Sequence, residues 1–280
     1  LLPRIDTLID LALEEDAGLG DITSRAIFPA GHRSRAVIDA KQDIVVCGLE
    51  VAARVFARVD ASLQVRALAA DGDRVARGGL VMEITGPTAS LLTAERTALN
   101  FLQRLSGVAT LSRRFADAAA PLGVRIVDTR KTTPGYRGLE KYAVRCGGCF
   151  NHRFSLGEHV LIKDNHIAAA GSVGAAIAAC RRAAPHGAKI ECEAKTLDQV
   201  REALAAGAEI LLLDNMPPAT ISEAVALIAK RALVEVSGGV RFETLRDYAV
   251  PGVDVISIGA LTHSAPCVDL SLDLTSIESK

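Results

Sequence analysis

The chain has 280 residues, 49% hydrophobic and 23% charged, the balance of an ordinary soluble globular protein with room for one large or two modest domains. Lys and Arg number 32 against 33 Asp and Glu, and the net charge of -1 argues against a nucleic-acid or membrane-surface binder, which needs a basic excess to neutralise phosphates. With no Trp and 4% aromatic residues, a base-stacking platform is also disfavoured.

No apolar run approaches the roughly 20 residues needed to cross a bilayer. Leu1-Leu2-Pro3-Arg4-Ile5-Asp6 lacks the basic start and long apolar core of a signal peptide. Cys47, Cys146, Cys149, Cys180, Cys192 and Cys267 are sparse for this length and read as reduced thiols of a cytoplasmic protein.

Residues 1–106 read as a mixed α and β region. Apolar Ile5, Leu8, Ile9, Leu11 and Ala12 predict a helix over 5–15, followed by the turn-rich Ala17-Gly18-Leu19-Gly20-Asp21. In Gly20-Asp21-Ile22-Thr23-Ser24, Asp21 or Thr23 is a candidate helix cap. Short β-like pieces follow at 35–40, 43–47, 63–67 and 80–85. Residues 91–115 read as a long helix interrupted at Ser106-Gly107.

From Val124 the rhythm changes. β-branched or Leu-rich runs at 124–128, 160–163, 189–193, 209–214, 233–236 and 253–258 each end in a polar or glycine cluster. Helical patterns with Ala-rich faces lie between them at 172–184, 197–206, 219–230 and 242–249. Apolar strands alternating with helices predict a parallel sheet covered by helices, the α/β class. Such strands fit a barrel or an open doubly wound sheet. Reactive groups at every strand end favour the barrel, which gathers all its strand C-termini at one mouth; an open sheet serves mainly one switch point.

Those ends differ in charge. The first two, with the connection between them, supply Arg130, Lys131, Arg137, Lys141, Arg145, His152, Arg153 and Lys163. Middle strands supply Glu193 and Asp214, and the last two supply Ser237-Gly238-Gly239 and Gly259-Ala260-Leu261. Singly, each Arg or Lys is a solvated surface charge. Gathered at one mouth, they form a cationic wall suited to carboxylates and phosphates, since Arg offers a planar bidentate fork. The acidic pair suits a hydrated Mg²⁺ or sugar hydroxyls, and the glycine turns suit a phosphate held on backbone N–H groups. The implied ligands are a phosphorylated sugar and a small acidic molecule.

Asp128-Thr129-Arg130-Lys131-Thr132-Thr133-Pro134-Gly135, Lys141-Tyr142-Ala143-Val144, Gly147-Gly148 with Asn151-His152-Arg153, and Leu161-Ile162-Lys163-Asp164-Asn165-His166 resemble the quinolinate phosphoribosyltransferase family. So do Leu213-Asp214-Asn215-Met216, Ser237-Gly238-Gly239, Ser257-Ile258-Gly259-Ala260-Leu261-Thr262 and, upstream, Ala94-Glu95-Arg96-Thr97-Ala98-Leu99-Asn100. The likeness is collinear from Gly20 to Asp269. It implies an N-terminal α/β sandwich domain at 1–106, an incomplete, seven-stranded α/β barrel at 107–265, and a segment at 266–280 returning to the first domain.

The resemblance also implies an activity: phosphoribosyl transfer from 5-phosphoribosyl 1-diphosphate to quinolinate, with Mg²⁺ as cofactor. The products would be nicotinate mononucleotide, CO2 and diphosphate, a step of NAD biosynthesis. Lys131, Lys163, Glu193 and Asp214 are the implied catalytic residues. Thr129, Arg130, Lys131, His152, Arg153 and Lys163 would bind the quinolinate carboxylates and the diphosphate. Glu193 and Asp214 would face the ribose hydroxyls and the metal, directly or through water, and Ser237, Gly238, Gly239, Gly259 and Ala260 would cradle phosphate. Arg96 would enter the neighbouring subunit's site, making a homodimer the catalytic unit.

This chemistry needs no covalent enzyme nucleophile. Displacement at the anomeric carbon builds oxocarbenium character that Glu193 and Asp214 can stabilise, while Mg²⁺ and cations neutralise the leaving diphosphate. The attacking pyridine nitrogen becomes a pyridinium, an electron sink for the carbanion left by CO2, which water or a lysine then protonates. Positioning two polyanions is most of the task, and positioning can supply roughly 7–11 kcal/mol.

Several signals are read as structural. Cys146-Gly147-Gly148-Cys149 ahead of His152 imitates a zinc or redox motif, but no second Cys pair completes a four-ligand zinc and no thioredoxin-like unit surrounds it. The 70–79 turn before Val81-Met82-Glu83-Ile84 resembles a biotinyl-carrier hairpin without its acceptor Lys, and reads as turn chemistry. His166 either orients Lys163 or satisfies buried polar groups, His263 is a further site candidate, and His32, His159 and His186 read as structural. Three rivals share the scaffold: a molybdenum-transport-associated relative, a non-catalytic phosphosugar- or nucleotide-binding regulator, and a lyase or aldolase using Lys163 as a Schiff-base amine.

Overall fold

The computed structural model describes residues 5–276. Its first elements are α1 (Ile5–Ala17), α2 (Ile22–Ile27), β1 (Arg33–Ala40), β2 (Ile44–Val45) and α3 (Leu49–Val59). They are followed by β3 (Gln64–Ala67), β4 (Arg74–Val75), β5 (Leu80–Pro87) and the long α4 (Thr88–Ala119). Then come β6 (Arg125–Val127), α5 (Arg137–Cys146), β7 (Val160–Ile162), α6 (Asp164–Ala170), α7 (Val173–Ala183) and β8 (Ile190–Ala194). The last are α8 (Leu197–Ala205), β9 (Ile210–Asp214), α9 (Pro218–Ile228), β10 (Leu233–Ser237), α10 (Leu245–Tyr248), β11 (Val255–Ser257), α11 (Ala260–His263) and β12 (Leu270–Ser276).

Contacts divide the chain into two compact units. The first takes the described parts of Leu1–Arg113, Thr133–Gly148 and Ser264–Lys280, and the second takes Arg114–Thr132 and Cys149–His263. The segment 133–148 thus clusters with the first unit, although it lies within the 107–265 stretch of sequence.

In the first unit an antiparallel sheet has the order β12-β1-β5-β3. β1 alternates, burying Ser34, Ala36, Ile38 and Ala40, so that one face packs while the other stays wet. β12 adds itself to β1, with Ile38 opposite Leu272. Asp21 caps α2, its Oδ1 accepting from the Ser24 amide at 2.9 Å. On α4, Leu91, Ala94, Ala98, Leu102, Leu105 and Ala109 form a buried stripe at steps of three and four.

The expected break at Ser106-Gly107 is corrected: α4 runs through it without interruption. Glycine is needed there for close approach, because a Cβ at Gly107 would stand 2.1 Å from the Pro266 carbonyl oxygen. Ser106 is needed for its hydroxyl, which accepts from the Cys47 amide (2.9 Å) and donates to the Cys47 carbonyl (3.2 Å).

The second unit is built on a six-stranded, all-parallel sheet of order β6-β11-β10-β9-β8-β7. β8 is buried at all five positions, as expected of a strand covered on both faces. The covering helices bury short apolar stripes: Val173, Ala176 and Ile177 on α7, Val200 and Ala203 on α8, Ile221, Ala224 and Ile228 on α9. Ser172 and Thr196 cap α7 and α8, so α7 follows α6, and α8 follows β8, with little loop. The resemblance implies seven strands; among the described residues six form this sheet, and one further parallel bridge joins Val127 to Phe150.

Gly107→Ala is predicted to destabilise the protein by about 1–3 kcal/mol through overpacking against the Pro266 carbonyl. Urea denaturation followed by circular dichroism measures it; an unchanged midpoint would refute the close-approach account.

Candidate active site

Parallel strands send their C-terminal ends the same way, so the groups that follow β6, β7, β9, β10 and β11 emerge together. They surround a cavity of about 500 Å³. Thr129, Arg130, Lys131, His152, Arg153, Lys163, Glu193, Asp214, Ser237, Gly238, Gly239, Gly259 and Ala260 all line it. Arg96 does not: it is exposed on α4 in the first unit. The larger cationic wall is corrected, since Arg137, Lys141 and Arg145 belong to α5 in the first unit and none of them lines the cavity. Their connection reads as a charged loop but folds into a helix around buried Glu140, which accepts from Arg104 Nη2 (2.6 Å) and the Thr133 amide (3.0 Å).

Among the cationic segments, buried Asp128 joins two by accepting from Asn151 Nδ2 (2.6 Å) and the His152 amide (2.9 Å). Lys131 is held through its backbone: its amide donates to Thr129 Oγ1 (3.0 Å), and Thr262 Oγ1 donates to its carbonyl (2.7 Å). Arg153 is 6% exposed and donates from Nη1 to the His159 carbonyl (3.0 Å). Burial and the neighbouring Arg130 charge both pull its pKa down. The Nε atoms of Arg130 and Arg153 are buried without a hydrogen-bond partner. An unmet buried donor costs about 1–3 kcal/mol, so this part of the cavity is primed for an anion.

His152 sits between two strand carboxylates, its Nε2 lying 3.4 Å from Glu191 Oε2 and 3.5 Å from Glu235 Oε1. Burial alone would lower its pKa, but the two carboxylates outweigh burial and lift it to about 9. One contact opposes them: the Arg153 amide points at Nδ1 (2.7 Å), which asks for a bare nitrogen. The carboxylates prevail, because a single neutral hydrogen bond contributes only about 1 kcal/mol, and the ring is the imidazolium near neutral pH. Glu191 also accepts from His159 Nε2 at 2.9 Å, and its own pKa is lowered because the two imidazoles outweigh the opposing effect of burial.

Glu193 also lines the cavity and is 7% exposed. Burial first and the Asp214 charge second push its pKa up, with Lys163 partly opposing them. Lys195 stands 3.9 Å from Glu193 and is engaged by Asp164 at 2.6 Å. At the far edge, Gly238 has φ 96, and a Cβ there would lie 2.3 Å from Asn215 Oδ1. Only glycine fits that position. Asn215 itself is left-handed at φ 55, its amide donating to the Ser237 carbonyl (2.9 Å).

His263 lines the cavity, whereas His166 accepts from the Lys163 amide at Nδ1 (2.9 Å) and so fixes the start of α6. Sequence reasoning missed Glu235 and Arg241, which line the cavity, and the Glu191–His159 pair behind His152. For the glutamates the signal was present: Glu191 beside Glu193 in Ile190–Ala194, and Glu235 in Leu233–Ser237, interrupt strand runs that are mostly apolar.

A parallel α/β sheet whose strand ends gather cations, carboxylates and glycine turns around one cavity defines an α/β protein of the barrel type, with a site suited to phosphate and sugar groups. The sequence matches the profiles for the quinolinate phosphoribosyl transferase N-terminal domain over residues 21–106 and C-terminal domain over 108–273. It is 45% identical over 273 residues to a probable nicotinate-nucleotide pyrophosphorylase [carboxylating] of Bacillus subtilis, covering 97% of this chain and 94% of that protein. A mitochondrial quinolinate phosphoribosyltransferase [decarboxylating] of Nicotiana glauca is 41% identical, over 95% of this chain and 81% of that one. The crystal structure of NadC from Streptococcus pyogenes superposes with a TM-score of 0.94 at 43% identity, covering 99% of each chain. The chain belongs to the quinolinate phosphoribosyltransferase family.

Because folding raises the Glu193 pKa above that of an unfolded chain, the folded state is penalised as pH rises through that range. Glu193→Gln is therefore predicted to melt at a higher temperature than the parent at about pH 8, the gap closing by about pH 4. Thermal denaturation across pH checks this; an equal or lower melting temperature at about pH 8 would contradict the strained acidic pair.

Proposed function

We propose that this chain transfers the phosphoribosyl group of 5-phosphoribosyl 1-diphosphate to quinolinate, releasing CO2 and diphosphate and giving nicotinate mononucleotide for NAD biosynthesis. The observation that carries the reading is one cavity lined by the cations Arg130, Lys131, His152, Arg153 and Lys163 together with the carboxylates Glu193 and Asp214. The cations bind the quinolinate carboxylates and the diphosphate, with Thr129 beside them. Ser237, Gly238, Gly239, Gly259 and Ala260 offer a backbone cradle for the 5-phosphate. Glu193 and Asp214 face the ribose, where their charge stabilises the oxocarbenium character of the transition state.

Quinolinate's nitrogen forms the new bond to the anomeric carbon as the diphosphate leaves with its electron pair. The pyridinium then accepts the electron pair of the breaking carbon–carboxylate bond as CO2 departs. Water, Lys131 or Lys163 returns a proton to the ring carbon. The enzyme's share is positioning and charge, which suits cations whose backbone is fixed, His152 by Asp128 and Lys131 by Thr262.

Mg²⁺ is part of this proposal. Glu193 and Asp214 line the same cavity and are close enough that the Asp214 charge adds to burial in raising the Glu193 pKa, so the pair offers a hard oxygen donor set that fits a divalent cation. When bound, the ion supplies neutralisation of the departing diphosphate. The proposal also holds that the protein works in the cytoplasm as a homodimer, with exposed Arg96 reaching the partner's cavity. Among the described residues no helix is long and apolar enough to cross a membrane. The matched relatives do not favour the molybdenum-associated or regulator readings.

Arg130→Ala and Lys163→Ala are each expected to cut turnover at least about 100-fold, the size of losing one oxyanion donor. Mononucleotide formation from quinolinate and 5-phosphoribosyl 1-diphosphate is the assay, and near-parental rates in both variants would refute the cationic side. Mixing inactive Arg96→Ala and Lys163→Ala proteins should restore activity through hybrid dimers. No recovery after verified subunit exchange would count against a shared site.

A further inference from the structure

The first unit contains a second convergence of reactive side chains. Cys47 lies between β2 and α3, Asp71 lies in the β3–β4 connection, and Tyr142 and Cys146 are one helical turn apart on α5. The two thiol sulfurs and an Asp71 carboxylate oxygen lie within 4.8 Å of one another. Tyr142 Oη donates to Asp71 Oδ2 at 2.8 Å and is also within hydrogen-bonding reach of the Cys146 thiol. That thiol in turn meets the thiol of Cys47. Cys146 pairs here with Cys47, distant in sequence; Cys149, its neighbour in the Cys-x-x-Cys stretch, belongs to the second unit.

The donors are held from outside. Asp71 Oδ1 accepts from the amides of Gly48 (3.0 Å) and Leu49 (3.1 Å), so the backbone orients the carboxylate. Ser106 holds the Cys47 backbone through both its amide and its carbonyl. Cys47 is fully buried, whereas Asp71 and Cys146 are half-buried and Tyr142 is exposed, so an ion has a path in from the Tyr142 edge.

We propose that Cys47, Asp71 and Cys146 form a binding site for a thiophilic divalent cation of the zinc class, with the Tyr142 hydroxyl or a water as fourth donor. Tetrahedral coordination by sulfur and oxygen at ordinary bond lengths sets the donors roughly 3.4–3.8 Å apart, a contraction that side-chain torsions can supply from the observed cluster. As the two metal–sulfur bonds form, the two thiol protons pass to solvent and no electron is transferred. The Asp71 contacts to Gly48, Leu49 and Tyr142 are the supporting layer that preorganises a metal ligand. The ion would clasp the segment after β2, the turn before β4 and the end of α5, a structural role separate from the phosphoribosyl chemistry.

The test is titration of the whole, reduced, chelator-stripped protein with Co²⁺ under nitrogen. The proposal expects one equivalent to bind with a sulfur-to-cobalt charge-transfer band and tetrahedral visible bands, to raise the melting temperature, and to be displaced by Zn²⁺. Cys146→Ser and Asp71→Asn should each weaken binding at least about 100-fold, more than the 10–100-fold typical of losing a supporting partner. Asp71→Asn keeps a carbonyl oxygen for the Gly48 and Leu49 amides and so tests the ligand without dismantling the turn. Cys180→Ser and Cys267→Ser should bind as the parent does. Absence of the charge-transfer band in the parent, its persistence in Cys146→Ser, or its loss in Cys267→Ser overturns the proposal.

Discussion

Three carboxylates buried on parallel strands set the terms for the second unit. Glu191, Glu193 and Glu235 are 1%, 7% and 5% exposed, on strands that are otherwise apolar. A buried charge left unpaired costs several kcal/mol, so hydrogen-bond donors or cations must reach these positions. His152 and His159 meet Glu191, His152 also meets Glu235, and Lys163 acts on Glu193. Strand periodicity gives this its geometry. Glu191 and Glu193, two residues apart, share one face of β8, and Cys192 takes the other.

The same compensation is left incomplete at the cavity. Arg130 and Arg153 keep buried donors without partners, and burial together with the Asp214 charge raises the Glu193 pKa. Each is a cost to the folded state that an anionic ligand at the arginines, and ribose hydroxyls or a divalent ion at the carboxylates, would relieve. The rigid pieces around them make that arrangement persistent: Asp128 binds one cationic segment to the other, Thr262 holds the Lys131 carbonyl, and Asn215 at φ 55 backs the Gly238 turn. Strain and unmet charge gathered at one place are the usual mark of a working site.

Much of this is legible in the sequence, for physical reasons that differ by region. Ile210–Asp214 announces itself because a strand covered on both faces is a continuous apolar run, and the polar group that ends the run is where the cavity lies. Ser106-Gly107 misleads because glycine's role there is room for the Pro266 carbonyl, a tertiary fact that local pattern cannot carry. Helix α5 is hidden by Thr133-Pro134-Gly135 ahead of it and by charges that read as loop, and with it goes the true place of Arg137, Lys141 and Arg145. His159 looks structural because its acidic partner, Glu191, comes from the adjacent strand and is 32 residues away in sequence. The meeting of Cys47 with α5 is equally silent: Cys-x-x-Cys spacing points from Cys146 to Cys149, while the fold brings Cys47 to Cys146.

The most direct measurement is a crystal structure of this protein with quinolinate and an unreactive analogue of 5-phosphoribosyl 1-diphosphate bound together. The account predicts the pyridine carboxylates against Arg130, Arg153, His152 and Lys163, the ribose hydroxyls toward Glu193 and Asp214, and the 5-phosphate on the Gly238-Gly239 and Gly259 backbone. Ligand density outside this cavity, or a pose with the carboxylates turned toward Glu193 and Asp214, would contradict it.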